Sequence, residues 1–257
     1  MVNVLKKNQT NNTNFKSDME HIRRKRRSNK EIEDTIIEVA TQSIIEKGFN
    51  GITATGIMQK ASIEPVQFYR RYNDLNGFID EYVKRFDYWF SDVAKSYSNI
   101  NDDKEQYKKI ICGLLDSLLD NKIMQQLLVW ELTEHNPTSR RTAQLRELHT
   151  LPLCSKYSKI FEESDIDVVA ISAFLIGGIY YLVLHKDLST FSGIDLNKKG
   201  DKERLYKAIN QLSEILFSSI YPSKETVEIA RKMKADNIST DKIMEYTNLS
   251  EELINSL

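Results

Sequence analysis

Helix breakers and cysteines are scarce in this chain, which has nine glycines, four prolines and two cysteines among its 257 residues. Scarce breakers, together with abundant Lys, Glu, Ile and Leu, predict an all-α protein rather than a β protein. Cys112 and Cys154 lie far apart, and neither belongs to a cluster with metal-ligand spacing. A disulfide framework and a zinc site are therefore not indicated, and a reducing, cytoplasmic setting fits this cysteine usage.

Sequence motifs of catalysis are missing as well. The chain has no Gly-rich phosphate loop, no metal-binding cluster and no nucleophile elbow, and its four histidines are scattered. Paired acids such as Asp102-Asp103 and Glu162-Glu163 fall in polar stretches that are typical of a solvated surface. The sequence therefore predicts a protein that is not an enzyme and that uses no cofactor and no metal ion.

Long hydrophobic runs are limited to one, over residues 168–184. This run is shorter than the roughly 20 residues that a membrane span needs, and charged residues flank it closely on both sides. We interpret it as a helix buried at a subunit interface, and a membrane span is the second interpretation. Residues 1–18 are polar and rich in Asn, so the sequence predicts no secretory signal.

The charge distribution is asymmetric behind a net charge of −1. Residues 1–30 carry nine Lys or Arg against two Asp or Glu, a balance of +7, which leaves −8 for the other residues. DNA binding requires a local positive face rather than a basic protein. The basic arm (residues 1–27) can follow a phosphate backbone or enter a minor groove, although such runs more often act as non-specific electrostatic patches. Its candidate DNA contacts are Arg23, Arg24, Lys25, Arg26 and Arg27.

The sequence after the arm predicts a helix with a defined start and end. Ser28 and Glu31 have the spacing of a capping box, in which each side chain accepts a hydrogen bond from the other residue's backbone amide. Apolar residues then recur at helical spacing until Gly48, which is suited to a left-handed C-cap.

Two short helices and a tight turn follow, in the layout of a helix-turn-helix. The first is predicted over residues 53–61 with Thr53 as its N-cap, and the second over residues 65–72 with Pro65 at its first position. The connecting turn is Ser62-Ile63-Glu64. In this layout the second helix enters the major groove of double-stranded DNA.

The second short helix is the candidate reader of bases. Gln67 can pair bidentately with adenine, and Val66 can contact a thymine methyl group. Gln67 can equally be a solvated residue, and Thr53 is first a helix cap and only second a phosphate contact. Phe68 and Tyr72 are expected in the core. The candidate DNA contacts outside the arm are Thr53, Thr55, Pro65, Val66, Gln67, Tyr69, Arg70 and Arg71.

The chain divides into four predicted segments. The basic arm, expected to be disordered without a partner, precedes a helix-turn-helix domain at residues 28–74. A helical domain for effector binding and dimerisation follows at residues 75–221, and its first helix is predicted over about residues 75–97. Residues 222–257 form a tail of three short helices, which is too small to bury a core alone and is expected to dock on the main body.

Two sets of residues in the helical domain are candidates for binding. Aromatic and aliphatic residues at helical spacing can line an effector pocket, although core packing is the more common role of such residues. The pocket candidates are Phe86, Trp89, Phe90, Leu127, Trp130 and Tyr180. Two apolar helices, at residues 166–186 and 202–220, can pair with their copies in a four-helix bundle, or else complete a monomeric core. The dimer-interface candidates are Phe174, Gly177, Gly178, Tyr181, Leu212 and Leu216.

A set of residues in the helix-turn-helix matches a known pattern, namely Ile36, Ala40, Lys47-Gly48-Phe49, Thr53, Ile57, Ala61, Ser62-Ile63, Phe68, Tyr69 and Tyr72. In these positions the chain resembles the TetR (tetracycline-repressor-like) family of transcriptional regulators. The resemblance extends loosely over about residues 28–221. It implies a homodimer that binds double-stranded DNA, responds to a small-molecule effector and acts by default as a repressor in the cytoplasm, with no membrane partner.

Three positions depart from the family pattern. Ser62 stands where the turn usually carries glycine, Glu64 where a serine usually caps the second short helix, and Leu75 where a lysine usually binds phosphate. These departures weaken the expected contacts with the DNA backbone. They keep open an alternative, in which the chain is a helical protein-interaction scaffold with a degenerate helix-turn-helix.

Overall fold

The structure, a computed structural model, describes residues 27–218, 220 and 222–257. Throughout these residues the regular secondary structure is helical, and the one extended pairing is an isolated bridge between Phe191 and Ile194. The prediction of an all-α fold is therefore confirmed. The basic arm before Arg27 lies outside the described residues, and so do the predictions made for it.

The N-terminal helices follow the predicted layout closely. Ser28 Oγ accepts a hydrogen bond from the Glu31 N–H at 3.1 Å, and the Glu31 carboxylate accepts from the Ser28 N–H at 2.5 Å. Thr53 Oγ1 accepts from the Gly56 N–H at 3.0 Å. Each cap satisfies amides that the helix itself leaves unpaired, which fixes where the helix begins. The helices are α1 (Asn29–Lys47), α2 (Ala54–Ala61), α3 (Pro65–Tyr72) and α4 (Leu75–Val83).

The turn between α2 and α3 is tight although it lacks glycine. Ser62 adopts the left-handed conformation, with φ 51° and ψ 54°. Its N–H donates to the Gln59 carbonyl and the Ile63 N–H donates to the Met58 carbonyl, both at 3.1 Å. A left-handed residue other than glycine costs roughly 1–2 kcal/mol, so these hydrogen bonds and the packing around them hold the turn.

The predicted helix over residues 75–97 is interrupted, which corrects the sequence-based boundary. A 3₁₀ turn follows α4, and a separate helix α5 (Trp89–Lys95) begins after it. At the break, the Asp87 carbonyl lies 3.1 Å from His149 Nδ1, and Asp87 Oδ2 accepts a hydrogen bond from Arg141 Nη1 at 3.0 Å. Both partners belong to a distant helix, so tertiary contacts hold the segment between α4 and α5 in place.

Five longer helices complete the main body. Pro152 lies inside one of them without ending it. Leu114, Leu118 and Met124 are fully buried at the centre, and Phe49 packs on Trp130 with ring centroids 5.2 Å apart, which joins the N-terminal helices to the same core. The helices are α6 (Asp103–Asp120), α7 (Lys122–Thr133), α8 (Pro137–Ile160), α9 (Val168–His185) and α10 (Lys199–Phe217).

The C-terminal tail has a hydrophobic core of its own, contrary to the expectation that it is too small to build one. Ala230, Ile243, Leu249 and Ile254 are buried together in a cluster separate from that of the main body. The Lys234 ammonium also donates to the Ile254 and Asn255 carbonyls, which closes the end of the last helix. The three helices are α11 (Lys224–Ala235), α12 (Thr240–Thr247) and α13 (Glu251–Ser256).

The joint between α3 and α4 depends on a glycine. A Cβ on Gly77 would lie 2.1 Å from the Tyr72 carbonyl oxygen, a backbone atom that cannot move without shifting α3. We expect Gly77→Ala to lower the free energy of unfolding by about 1–3 kcal/mol, the usual range for overpacking. Urea denaturation followed by circular dichroism measures this change.

The matched control for that variant is Gly200→Ala near the start of α10. A Cβ there meets no atom within 4 Å, so only helix propensity changes. Equal stability of the Gly77→Ala variant and the wild-type protein would show that α3 and α4 are not packed as described.

Candidate functional site

Helix α3 has an exposed side and a buried side. Val66 and Tyr69 are 68% and 45% exposed, and Pro65 and Arg70 are exposed next to them. Phe68 on the opposite side is fully buried, as the sequence predicts. The arrangement leaves one ridge of α3 accessible over its whole length, which is the geometry that a helix entering a DNA groove requires.

The side chain of Gln67 is engaged within the protein. Its Oε1 accepts a hydrogen bond from the Glu64 N–H at 2.9 Å, which is the reciprocal half of a capping box whose N-cap is Glu64. Bidentate recognition of adenine needs both the oxygen and the nitrogen of the amide. In this conformation Gln67 therefore has only its Nε2 atom free, and the predicted adenine contact requires the cap to open.

Two arginines among the predicted DNA contacts hold the helix-turn-helix together. Arg71 donates to the Gln67 carbonyl at 2.7 Å and to the Asn29 carbonyl and Oδ1 at 3.2 and 3.1 Å, which ties α3 to the start of α1. Arg27 donates to the Ala61 carbonyl at 3.0 Å and the Ser62 carbonyl at 2.5 Å. These contacts satisfy carbonyl groups at the end of α2 that would otherwise be unpaired. The other arm residues, Arg23, Arg24, Lys25 and Arg26, lie outside the described residues.

The remaining polar groups near α3 differ in whether they are engaged in hydrogen bonds within the protein. Thr53 is exposed and serves as the N-cap of α2, whereas Thr55 is exposed as the second residue of that helix. Arg70 has no hydrogen-bond or ion-pair partner among residues 27–218, 220 and 222–257. Glu64 is exposed beside the start of α3 and opposes the approach of phosphate by charge. Arg70 is consequently the free cation on this ridge.

A cavity of about 410 Å³ lies between α5, α6, α8 and α9. Its size is in the usual range for small-molecule sites. Phe90 and Tyr180 line it, so two of the six predicted pocket residues are in this cavity. The residues that surround it are Phe90, Tyr107, Ile110, Ile111, Ala143, Arg146, Glu147, Thr150, Leu153, Cys154, Tyr157, Val168, Val169, Ser172, Ala173, Ile176, Gly177 and Tyr180.

The other four predicted pocket residues lie elsewhere in the body. Leu127 is fully buried in the core, and Trp130 packs on Phe49. Trp89 Nε1 donates to Ser117 Oγ at 2.8 Å. Phe86 lies half-buried, with its ring centroid 6.0 Å from that of Tyr82. These four residues pack elements together and do not line the cavity.

The α8 side of the cavity was missed by the sequence analysis. Ala143, Thr150 and Tyr157 recur every seven residues along α8 and all face the cavity. Because this stripe mixes small, polar and aromatic residues, it lacks the apolar periodicity that marks a buried helix face. The sequence signal that could have identified this face is the seven-residue spacing itself, read without requiring that the residues be apolar.

The buried polar groups of the cavity carry little free charge. Arg146 pairs with Glu131, and both side chains are largely buried. Thr142 Oγ1 also donates to Glu131 at 2.6 Å. Burial raises the pKa of Tyr180 to about 12. Burial likewise raises the pKa of the Cys154 thiol. The phenol and the thiol are therefore uncharged near neutral pH.

Helix α8 also forms ion pairs with α4 and with the segment between α4 and α5. Arg141 Nε lies 3.2 Å from Asp80 Oδ1 on α4, and Arg141 Nη1 lies 3.0 Å from Asp87 Oδ2. Asp87 is buried, and its other carboxylate oxygen has no hydrogen-bond partner within the described residues. His149 stacks on Tyr88 with ring centroids 4.3 Å apart. A displacement of α8 at the cavity would therefore change the position of α4 through these contacts.

A second exposed surface lies on α9 and α10. Phe174 is 84% exposed, Tyr181 is 49% exposed and Leu212 is 44% exposed. A Cβ on Gly177 or Gly178 would meet no atom within 4 Å, so this stretch of α9 is open. Leu216 is instead buried within the chain itself, which corrects its assignment to this surface. Among the described helices, α9 is long and apolar enough to cross a membrane, by length and composition alone.

Comparison with known proteins gives matches at the level of structure. No protein-family model and no curated protein matches the sequence. A solved member of the TetR transcriptional regulator family from Streptomyces coelicolor is 16% identical, with a TM-score of 0.50, and the match covers 69% of this chain and 88% of that one. A TetR-family transcriptional regulator from Pectobacterium atrosepticum is 15% identical over 77% of this chain and 99% of that one, with a TM-score of 0.47. The chain has the fold of the TetR-family regulators, as the resemblance in its sequence predicts.

Proposed function

We propose that the chain is a homodimeric DNA-binding transcriptional regulator, by default a repressor, whose affinity for its operator is controlled by a small-molecule effector. The observation that carries this proposal is the exposed ridge of α3, which presents Val66, Tyr69 and Arg70 while the opposite side is fixed in the core. A reader of base edges needs such a rigid, accessible helix. The description of the Streptomyces coelicolor protein as a transcriptional regulator favours the same role.

The exposed apolar surface of α9 and α10 supports the homodimer. Phe174, Tyr181, Leu212 and Ile215 are exposed on these two helices, and a patch of this kind on a folded protein marks an interaction surface. Two copies of α9 and α10 related by a two-fold axis would form a four-helix bundle. Such a dimer would present two copies of α3 to consecutive major grooves, about 34–36 Å apart.

The cavity supports control by an effector. It lies against α8, and α8 contacts α4 through Arg141, so a ligand that binds one position of α8 better would favour one position of the helix-turn-helix. Ligand binding would in this way change the separation of the two reading helices. The effector site and the DNA site are then coupled through a chain of direct contacts.

A titration of the full-length protein with duplex DNA tests the central proposal. Fluorescence anisotropy would compare the promoter region next to the protein's own gene with unrelated duplexes of equal length. We expect tight, sequence-selective binding whose affinity falls with salt, with a slope of about 0.9 per phosphate contact. Equally weak binding to every duplex would contradict the proposal.

That contradictory result would favour the second candidate, a helical protein-interaction scaffold with a degenerate helix-turn-helix. Two observations support this candidate. Glu64 is exposed at the start of α3 with a charge that repels phosphate, and Leu75 stands where the family pattern has a lysine. The engagement of Gln67 and Arg71 within the protein further reduces the groups that are free to contact DNA.

The link between α8 and α4 gives a separate prediction. We expect Arg141→Met to leave the buried Asp87 carboxylate without its counter-charge and to speed hydrogen exchange of the α4 amides by about tenfold or more, because removing one partner of a buried ion pair is strongly destabilising. Hydrogen exchange with mass spectrometry of peptides from residues 75–95 measures the change.

The control for this link is Arg140→Met, because Arg140 is the exposed neighbour of Arg141 and has no ion-pair partner among the described residues. It should leave the exchange of the α4 amides as in the wild-type protein. Unchanged exchange in Arg141→Met as well would mean that Arg141 does not hold α4.

A further inference from the structure

The cavity between α8 and α9 combines an apolar wall with a neutralised ion pair. Aromatic and aliphatic side chains from α5, α6 and α9 form most of the wall, including Phe90, Tyr107 and Ile110, which are all buried. Arg146 reaches the wall from α8, but its charge is already paired with the buried Glu131 carboxylate. Among the lining residues that the structure describes, the deep part of the cavity therefore offers neither a free cation nor a free anion to a ligand.

A hydrogen-bonding group remains available in the wall. Tyr107 donates to or accepts from Ser172 Oγ at 2.9 Å, so that hydroxyl pair is satisfied internally. The Tyr180 hydroxyl, in contrast, has no hydrogen bond to any other described residue, and its raised pKa keeps it protonated. A protonated phenol can donate one hydrogen bond to a ligand and accept another.

The mouth of the cavity is lined by four exposed residues, three of which are small. They are Ala143 and Glu147 on α8 and Ala173 and Gly177 on α9. Gly177 leaves open space where a side chain would stand. The charged side chain at this rim is an acid, Glu147, which would repel an approaching anion.

We propose that this cavity binds an uncharged, mainly apolar molecule, which enters between α8 and α9 and exchanges a hydrogen bond with the Tyr180 hydroxyl. An anion would have to compete with Glu131 for Arg146, and a cation that entered the deep part would leave water while Glu131 is already paired with Arg146 and Glu147 stays at the exposed rim. This inference rests on the proposed function, because the uncharged, mainly apolar molecule would be the effector of the regulator.

A matched pair of fluorescent probes tests the charge preference. N-phenylnaphthylamine is neutral. Anilinonaphthalene sulfonate has the same phenyl-naphthylamine skeleton and carries one negatively charged sulfonate in addition. We expect the full-length protein to bind the neutral probe about tenfold or more tightly than the sulfonate, because an uncompensated charge is costly in an apolar site. Equal affinities, or tighter binding of the sulfonate, would overturn the proposal.

Two α8 variants locate the bound probe. Ala143 lines the cavity, whereas its exposed neighbour Gln144 does not, and neither belongs to the α9 and α10 surface proposed for the dimer. Ala143→Leu should narrow the mouth and raise the Kd of the neutral probe by about tenfold or more, while Gln144→Leu should change it by no more than about twofold. Equal effects of both substitutions would place the probe on the outer surface of α8 and overturn the assignment.

A charge variant tests the role of the ion pair directly. Glu131→Gln keeps an oxygen that can accept from Thr142 and Arg146 but removes the negative charge that neutralises Arg146. We expect the sulfonate probe to bind this variant about tenfold more tightly than the wild-type protein, with little change for the neutral probe. An unchanged ratio of the two affinities would contradict the proposal.

The probe measurements contain no DNA, which separates the two proposals. Selective binding of the neutral probe with no sequence-selective DNA binding would reject the regulator and keep the cavity assignment. Sequence-selective DNA binding with no preference for the neutral probe would reject the ligand class and keep the regulator.

Discussion

The Phe174→Asp variant is expected to be a monomer that has lost tight operator binding. Phe174 is 84% exposed on α9, and burial of such a side chain contributes about 1.5–3 kcal/mol. In a two-fold symmetric dimer the change occurs twice, and each new carboxylate must also lose its hydration. A monomer can engage only one half-site, so we expect operator affinity to fall by roughly 100-fold or more.

Sedimentation equilibrium measures the association state, and anisotropy with operator DNA measures the affinity. The matched control is Leu132→Asp, which introduces the same charge at a similarly exposed apolar residue on α7, outside the α9 and α10 surface. The control should remain a dimer with wild-type affinity. A Phe174→Asp protein that remains dimeric would show that subunits do not associate through α9.

Reversing the charge of Arg70 should have a comparably large effect on DNA binding. Arg70 is the exposed cation on the ridge of α3 that no described side chain engages, so its guanidinium is free for the O6 and N7 atoms of guanine or for phosphate. Loss of a bidentate contact is worth about 1–3 kcal/mol, and the new carboxylate adds repulsion from the DNA. We expect Arg70→Glu to weaken operator binding by roughly 100-fold or more.

The matched comparison for Arg70 is Gln67. Because Gln67 Oε1 is engaged in the capping box at the start of α3, we expect Gln67→Ala to weaken all complexes slightly through loss of this hydrogen bond, without a change in base preference. Competition with operators that carry single-base changes distinguishes the two residues, and Arg140→Glu, on α8, controls for net charge. A change of preference at one base in Gln67→Ala would instead mean that the cap opens on DNA and that the original adenine assignment holds.

The local features of the helix-turn-helix were predictable because they depend on neighbouring residues. A capping box joins Ser28 and Glu31, which are three residues apart, and Pro65 favours a helix start through its own fixed backbone angle. Thr53 caps α2 in the same local way. The positions of Phe68 and Tyr72 in the core also follow from helical periodicity within one short segment.

Features that depend on distant residues were not predictable in the same way. The segment between α4 and α5 is held at Asp87 by Arg141 and His149, which lie more than fifty residues further along the chain. Arg71 looks like a DNA contact by its charge, but its partner is Asn29 on a different helix. Local propensity cannot report such contacts, because they form only when the helices pack.

The cavity illustrates the same limit. Aromatic and aliphatic residues at helical spacing pointed to Phe90 and Tyr180, but the same signal also selected Leu127 and Trp130, which are core residues. Periodicity identifies a face that is removed from water and does not distinguish a packed face from one that borders a void. Only the relative positions of α6, α8 and α9 decide where a space remains between them.

The sequence by itself determined the all-α class, the caps and the tight turn that place α3 after α2, since each of these depends on residues a few positions apart. The tertiary structure decided which side chains of α3 are free, where α4 ends, where the cavity lies and that the tail builds a core of its own around Ile243. The physical reason is that hydrogen bonds and packing between distant segments compete for the same side chains. Their outcome is fixed only once the backbone brings these segments together.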